Sequence, residues 1–273
     1  MAQAISATER RPSVLQLLKR YHIITLPRQQ LASMLPPIRP RQYSISSSPR
    51  ALPTSLTITW SLITHATPAA LPGQDPTPGL ASHFLASLKA GDTLNCSVRP
   101  GQPRFSPPAD PILTPTIMIC AGAGLAPFRG FVQDRAERLR QNPDLASKVA
   151  PALLYIGCRA PEHALYAAEL QGWQDSGAVD IRHAYSRQGA RPDDHLGYVR
   201  DRVWADRDEL VQIWEDGAKV YVCGSRAVSH GVRDVVQRIY REQAEERCES
   251  KTDAEVEGWW VEILRDRYAA DVF

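Results

Sequence analysis

Hydrophobic positions change their period at about residue 112. Before it, apolar residues alternate with polar ones in short runs such as Ser55-Leu-Thr-Ile-Thr-Trp-Ser-Leu-Ile63, and period two predicts a strand with one buried face. Val14, Leu15, Leu17 and Leu18 fall instead at helical spacing and predict an ordinary packed helix. Prolines and a glycine between Pro68 and Pro78 predict a loop. The proline-dense stretch from Pro100 to Pro115 predicts a joint between two domains, placed at residues 1–111 and 112–273.

After the joint the rhythm becomes strand, helix, strand, helix. Thr116–Cys120, Ala152–Ile156, Val179–Tyr185 and Lys219–Cys223 read as strands. Between and beyond them, Pro127 to about Arg140, Leu165–Trp173, Asp208–Trp214, Val232–Arg247 and Ala254–Arg267 read as helices. Continuous apolar runs alternating with helical periods imply right-handed βαβ units and a parallel sheet covered on both faces.

Composition narrows the function classes. The chain has 273 residues and a formal net charge of +2. That near balance argues for neither a nucleic-acid partner nor an acidic substrate. Cys96, Cys120, Cys158, Cys223 and Cys248 form no C-x-x-C pair and have no histidines at ligand spacing, so no metal site is expected and a reducing compartment suits them better than a disulfide framework. No apolar run approaches the roughly 20 residues that cross a bilayer. Arg10, Arg11, Lys19 and Arg20 give the opening segment a transit-peptide flavour, but its apolar spacing also fits a packed helix. Cytoplasmic placement is the expectation.

The segment Cys120-Ala-Gly-Ala-Gly-Leu-Ala-Pro-Phe-Arg-Gly130 joins a strand to a helix. Gly122 and Gly124 permit a tight turn and close approach of a ligand. Pro127 suits the first helical turn, where its missing N–H costs nothing, and free N–H groups at that helix start favour a pyrophosphate. A plain strand-to-helix turn would also use these glycines. Pro127 stands where the usual dinucleotide fingerprint has its third glycine.

With that departure, Gly-x-Gly-x-Ala-Pro-Phe-Arg-Gly-Phe resembles the NADPH-pyrophosphate loop of the ferredoxin–NADP reductase superfamily, in its diflavin branch. Other stretches follow in the family's order. Arg41-Gln-Tyr-Ser-Ile-Ser-Ser-Ser-Pro49 is similar to its FAD motif, and Gly79-Leu-Ala-Ser-His-Phe-Leu85 to its second FAD-pyrophosphate segment. Tyr185-Ser-Arg187 and Tyr198-Val199 resemble its adenosine-phosphate site, Tyr221-Val-Cys-Gly224 its nicotinamide-side cysteine, and Arg267 to Phe273 its terminus. The likeness runs from about residue 12 and is nearest to the reductase halves of fungal fused P-450 monooxygenases.

The resemblance implies a partial antiparallel FAD-binding barrel followed by a parallel-sheet NADPH-binding domain. It starts near the end of the barrel's helical insertion, so the early barrel strands have no counterpart. By the same likeness Ser44, Cys223 and Asp271 form the hydride-transfer group. FAD is held by Arg41, Tyr43, Ser44, Gly79, Leu80, Ala81 and Ser82. NADPH is held by Gly122, Gly124, Pro127, Ser186, Arg187 and Tyr198, and Phe273 stacks on the flavin. Arg favours a pyrophosphate or a 2′-phosphate where an acid would favour a ribose. Leu196 stands where relatives place a Lys, so NADPH preference is expected to be softer, with Arg191 or Arg200 as substitutes.

The plainer readings remain open beside these. Arg41 to Ser44 can be a strand with a solvent-facing Arg, Gly79 to Ser82 a Ser-capped helix, and Arg187 solvated surface. Cys223 can be a buried structural thiol and Phe273 an ordinary exposed end. The function expected is a flavoprotein reductase module that passes hydride from NADPH to FAD and then single electrons to an FMN domain or haem monooxygenase outside this chain. The alternative is a non-catalytic remnant that binds nucleotide or partner without flavin.

Overall fold

The computed structural model describes residues 14–35, 37–63, 79–187 and 196–273. The expected loop at 68–78 and Arg10, Arg11 and Arg191 lie outside those residues. The chain divides into two compact units, Met1–Gln42 with Ser61–Leu94, and Tyr43–Trp60 with Asn95–Phe273.

The second unit is built on five parallel strands, β1 (Thr116–Ala121), β2 (Ala152–Cys158), β3 (Asp180–Tyr185), β4 (Lys219–Gly224) and β5 (Tyr268–Val272), in the order β3-β2-β1-β4-β5. The central strand β1 is buried along nearly its whole length, which explains its unbroken apolar run. Alternation sends its side chains to two cores. Ile117 and Ile119 join Tyr155, Val220, Val222 and Tyr268 on one face, and Met118 and Cys120 join Leu154, Ile156, Tyr221 and Cys223 on the other.

Helices cover both faces of the sheet. The chain runs through α4 (Leu125–Gln141), α5 (Ala167–Asp175), α6 (Val199–Ala205), α7 (Arg207–Glu215), α8 (Arg226–Glu246) and α9 (Asp253–Asp266), after three short helices of the first unit: α1 (Val14–Arg20), α2 (Arg28–Met34) and α3 (Leu80–Ser87). The Thr252–Glu255 pair starts α9 with a reciprocal cap: Thr252 Oγ1 accepts from the Glu255 N–H, and Glu255 accepts from the Thr252 N–H at 2.8 Å.

Three of the named elements escaped the sequence reading, among them the seven-residue α2, which buries no side chain. Helix α6 is seven residues with two buried side chains, Val199 and Val203, too short for a helical period to show. Strand β5 follows α9 at once and has one polar member, Asp271, in a five-residue run. The alternating stretch from Ser55 forms no strand among the described residues, only an isolated antiparallel bridge between Ile45 and Ile58. Hydroxyls compete for the backbone there: the Thr57 N–H donates to Ser47 Oγ at 3.0 Å.

The proline-dense joint is part of the second unit's core. Phe105 packs against Phe128, Phe131 and Tyr221 with ring centroids about 6 Å apart, and Tyr221 donates to the Ser106 carbonyl at 2.8 Å. Arg135 of α4 donates to the carbonyls of Pro111 and Ala150, holding the joint's end beside β2.

Candidate functional site

A parallel sheet presents its loops at the carboxyl ends of its strands, where ligands of such folds bind. Cys120, Cys223 and Asp271 stand there side by side, because the register pairs Cys120 with Cys223 and Cys223 with Asp271. Register alone puts their side chains on the same face. Ser44 arrives from the loop 43–60, and its hydroxyl donates to Asp271 Oδ2 at 3.4 Å. Residues separated by more than two hundred positions thus share one corner. Burial pushes the Cys223 thiol up to about 12, with the Asp271 charge adding to the shift. Burial likewise raises Cys120, with Cys223 and Cys158 contributing. Cys223 is therefore a neutral thiol across the physiological range.

The turn after β1 gives its two glycines different duties. Gly122 adopts a left-handed backbone, φ +56°, and a Cβ built on it would meet nothing within 4 Å. It makes the turn and leaves the space above it open. Gly124 has an ordinary helical backbone, yet a Cβ there would collide with the Cys223 carbonyl oxygen. The close approach is to strand β4, so Gly124 fits the turn onto the cysteine's own backbone. Helix α4 then starts at Leu125 with no side-chain cap, and Pro127 sits buried in its first turn. A 3-10 turn over Gly122–Gly124 leads straight into α4 and takes the Leu125 N–H onto the Gly122 carbonyl, so it is the open space over Gly122 that suits a pyrophosphate.

Ser186 and Arg187 extend β3 as exposed residues, their N–H groups donating to the carbonyls of Cys158 and Arg159. Gly197 passes against Tyr185 and Ser186, which brings Tyr198, 58% exposed, to the same edge. The Arg200 guanidinium lies 5.1 Å from the Tyr198 ring centroid. An exposed aromatic, a hydroxyl and two guanidiniums are a donor set suited to an adenosine phosphate. Phe273 is exposed, and its N–H donates to the Gly224 carbonyl at 3.2 Å, so the terminus lies beside the Cys-Gly turn.

In the first unit, Arg41 is exposed and donates to the Arg39 carbonyl. Gly79 precedes α3, with Leu80 exposed and Ser82 buried. The Ser82 hydroxyl donates to the Gly79 carbonyl and accepts from the Ile63 N–H, a local use that matches a serine-tied helix start. Ala81 is the next residue of that turn. Tyr43, half-buried, belongs with Ser44 to the second unit.

Arg129 was legible only as a letter of the Ala-Pro-Phe-Arg-Gly motif. It is 8% exposed and donates to Ser46, Thr57 and Glu169. A charged residue inside the apolar first turns of a sheet-covering helix was the available signal.

Residues 3–84 match the family described as FAD binding domain, and residues 118–234 match the oxidoreductase NAD-binding domain. The chain is 44% identical to a bifunctional cytochrome P450/NADPH–P450 reductase of Fusarium oxysporum, over 97% of this chain and 24% of that protein. Its counterpart in Aspergillus oryzae is 40% identical, over 100% and 26%. A self-sufficient cytochrome P450 monooxygenase of Exserohilum turcicum is 39% identical, over 99% and 24%. The chain spans about a quarter of the length of these relatives. Among the described residues, no helix is long and apolar enough to cross a membrane.

Proposed function

We propose that this chain carries hydride from NADPH to FAD and delivers single electrons to an FMN-binding domain or haem monooxygenase, a reading supported by its matches to an FAD binding domain and an oxidoreductase NAD-binding domain. The observation that carries this reading is the corner where Ser44 meets Asp271 at 3.4 Å beside Cys223. FAD, when bound, supplies the ring that accepts a hydride and releases its electrons one at a time.

The protein's own part is position and electrostatics. Asp271 would offer its carboxylate to the positive charge that a nicotinamide gains on losing hydride. The neutral Cys223 thiol would give a bound nicotinamide an uncharged neighbour, and Ser44 orients the carboxylate through its hydrogen bond. Gly122 and the start of α4 take the pyrophosphate, with Gly124 and Pro127 shaping the turn. Ser186, Arg187 and Tyr198 take the 2′-phosphate, with Arg200 in place of the cation missing at Leu196. On the flavin side, Arg41 and the Gly79–Ser82 turn of the first unit would bind the FAD pyrophosphate, while Tyr43 and Phe273 of the second unit would each offer an aromatic face to the isoalloxazine. The same reading gives residues 1–111 to FAD, as late strands of an antiparallel barrel after its helical insertion, and residues 112–273 to NADPH, in a cytoplasmic protein.

The test is the visible spectrum of the purified chain with added FAD, mixed anaerobically with NADPH. Bleaching of bound flavin is expected, and Asp271→Ala slows it about 100-fold, the scale of losing one preorganised electrostatic group. A protein that stays colourless with excess FAD favours instead a remnant that binds nucleotide without flavin, a reading to which the exposed Ile23 and Ile38 of the first unit lend weight.

A further inference from the structure

We infer that Arg129 is a positioning residue: it locks the loop bearing Ser44 onto the nucleotide-binding helix α4 and thereby sets where that serine stands relative to Cys223 and Asp271. Its consequence for hydride transfer rests on the function proposed above; the lock itself does not.

By its place in the glycine-rich motif, Arg129 reads as one more cation for a phosphate. Its donors are engaged elsewhere. Nε and Nη2 form a two-pronged pair with Glu169 of α5, both at 2.7 Å. Nη1 donates to the Ser46 carbonyl at 2.6 Å and to Thr57 Oγ1 at 3.1 Å. Four hydrogen bonds leave one N–H of the five that a guanidinium owns. One face of the group lies 4.5 Å from the Tyr166 ring centroid, and Trp173 stands 5.9 Å away. A guanidinium so enclosed has no side left for a pyrophosphate.

The two arms of the loop are both caught. Ser46 and Thr57 also bond each other, hydroxyl to hydroxyl at 2.9 Å and Ser46 N–H to Thr57 carbonyl at 2.8 Å, so one arginine secures both. Helix α4 continues the grip one turn on: Gln133 accepts from the Ser48 N–H at 2.8 Å and Asp134 from the Ser48 hydroxyl at 2.9 Å. At Gly130 the helix runs in packing contact with the loop: a Cβ there would meet the carbonyl oxygens of Ile45 and Ser47 at an ordinary contact distance of 3.5 Å. From the residue just before α5, Tyr166 adds a second latch, its hydroxyl 2.8 Å from Thr59 Oγ1. Tyr166 holds a left-handed backbone, φ +56°, strain of the kind found where surrounding contacts over-determine a residue. Ser44 lies two residues from the pinned Ser46, and its reach to Asp271 depends on that anchor.

Lysine cannot replace this group. A single ammonium cannot serve a carboxylate bidentately and also reach two acceptors on another segment. The test compares the wild-type chain with Arg129→Lys and with Glu169→Gln, the latter keeping shape and losing charge. In the flavin-free chain, hydrogen exchange at residues 46–57 is expected to rise about 10-fold or more in Arg129→Lys, the sheet peptides staying unchanged, with a smaller rise in Glu169→Gln. With FAD bound, the limiting rate of flavin bleaching is expected to fall about 10- to 100-fold at an unaltered half-saturating NADPH concentration, the signature of misplacement. Unchanged exchange at 46–57 overturns the lock. A raised half-saturating NADPH concentration at an unchanged limiting rate overturns it in favour of a phosphate contact. If Arg129→Lys fails to fold, Glu169→Gln decides by the same two readouts. A wild-type chain that binds no flavin refutes the hydride reading, and the exchange comparison still judges the lock.

Discussion

The sheet-bearing unit and the unit of residues 14–42 and 61–94 treat their apolar side chains in opposite ways. In the first, whole strands and one face of each long helix disappear into two cores. In the second, among described residues, Ile23 is 96% exposed and Ile38 80%, Leu80 and Phe84 face outward, and the one side chain fully buried is that of Ser82. Hydrogen bonds rather than apolar burial tie its described parts, such as Ser82 to Gly79 and to the Ile63 N–H. Apolar burial is the dominant stabilising term in folding, so a site built on the sheet is held by the global fold, and a site built on the smaller unit is held only locally. The loop 43–60 is the instructive intermediate: it buries little apolar surface, yet α4 and α5 fix it through buried polar bonds.

The broadest way to break this contrast is amide exchange in the native chain. Peptides of β1, β2 and β4 should exchange at least about 1,000-fold more slowly than those of α1, α2 and α3, since local opening ranges from nearly free to the full cost of unfolding. Equal protection would show that the smaller unit has a core of its own.

Alkaline pH sharpens the same point within the sheet. Cys223 has a folded pKa pushed up to about 12, whereas an unfolded thiol ionises near about 8.5. The unfolded chain therefore loses the proton first. The stabilisation is complete below about pH 8.5 and drains away as pH rises toward 12, by up to roughly 5 kcal/mol. Urea midpoints of wild type should fall faster than those of Cys223→Ser as pH is raised from 8; parallel curves would mean that the thiol is not so deeply buried.

The two glycines of the turn separate backbone strain from packing. Gly124→Ala drives a methyl into the Cys223 carbonyl and should cost about 3 kcal/mol in urea unfolding. Gly122→Ala meets nothing and carries only the left-handed penalty, about 1 kcal/mol. The reverse order would contradict the division of labour between them. The smallest effect is expected at the terminus. Deleting Phe273 should raise the use of NADH relative to NADPH several-fold, on the order of 1 kcal/mol, the worth of one aromatic contact; an unchanged ratio of initial rates would remove Phe273 from the site.

Much of the sheet was legible because local and tertiary demands coincide there. Thr116–Ala121 and Ala152–Cys158 are apolar runs whose only stable home is a strand covered on both faces, and α4 and α9 carry their stripes plainly. Elements without such a pattern stayed hidden. Helix α6 is too short to show a period, β5 carries a carboxylate in its run, and the alternating stretch from Ser55 is diverted from strand pairing by hydroxyls of its own loop.

What the sequence determined by itself was chemistry and order: a glycine turn between strand and helix, an FAD-like motif upstream, and a cysteine and an aspartate at the ends of two late segments. Only the tertiary structure decided who meets whom. The parallel register of β1, β4 and β5 lines up Cys120, Cys223 and Asp271, and the loop held by Arg129 brings Ser44 across to them. Proximity between residues far apart in the chain depends on strand order and on side-chain bonds between elements, and neither leaves a period in the amino-acid sequence to be read.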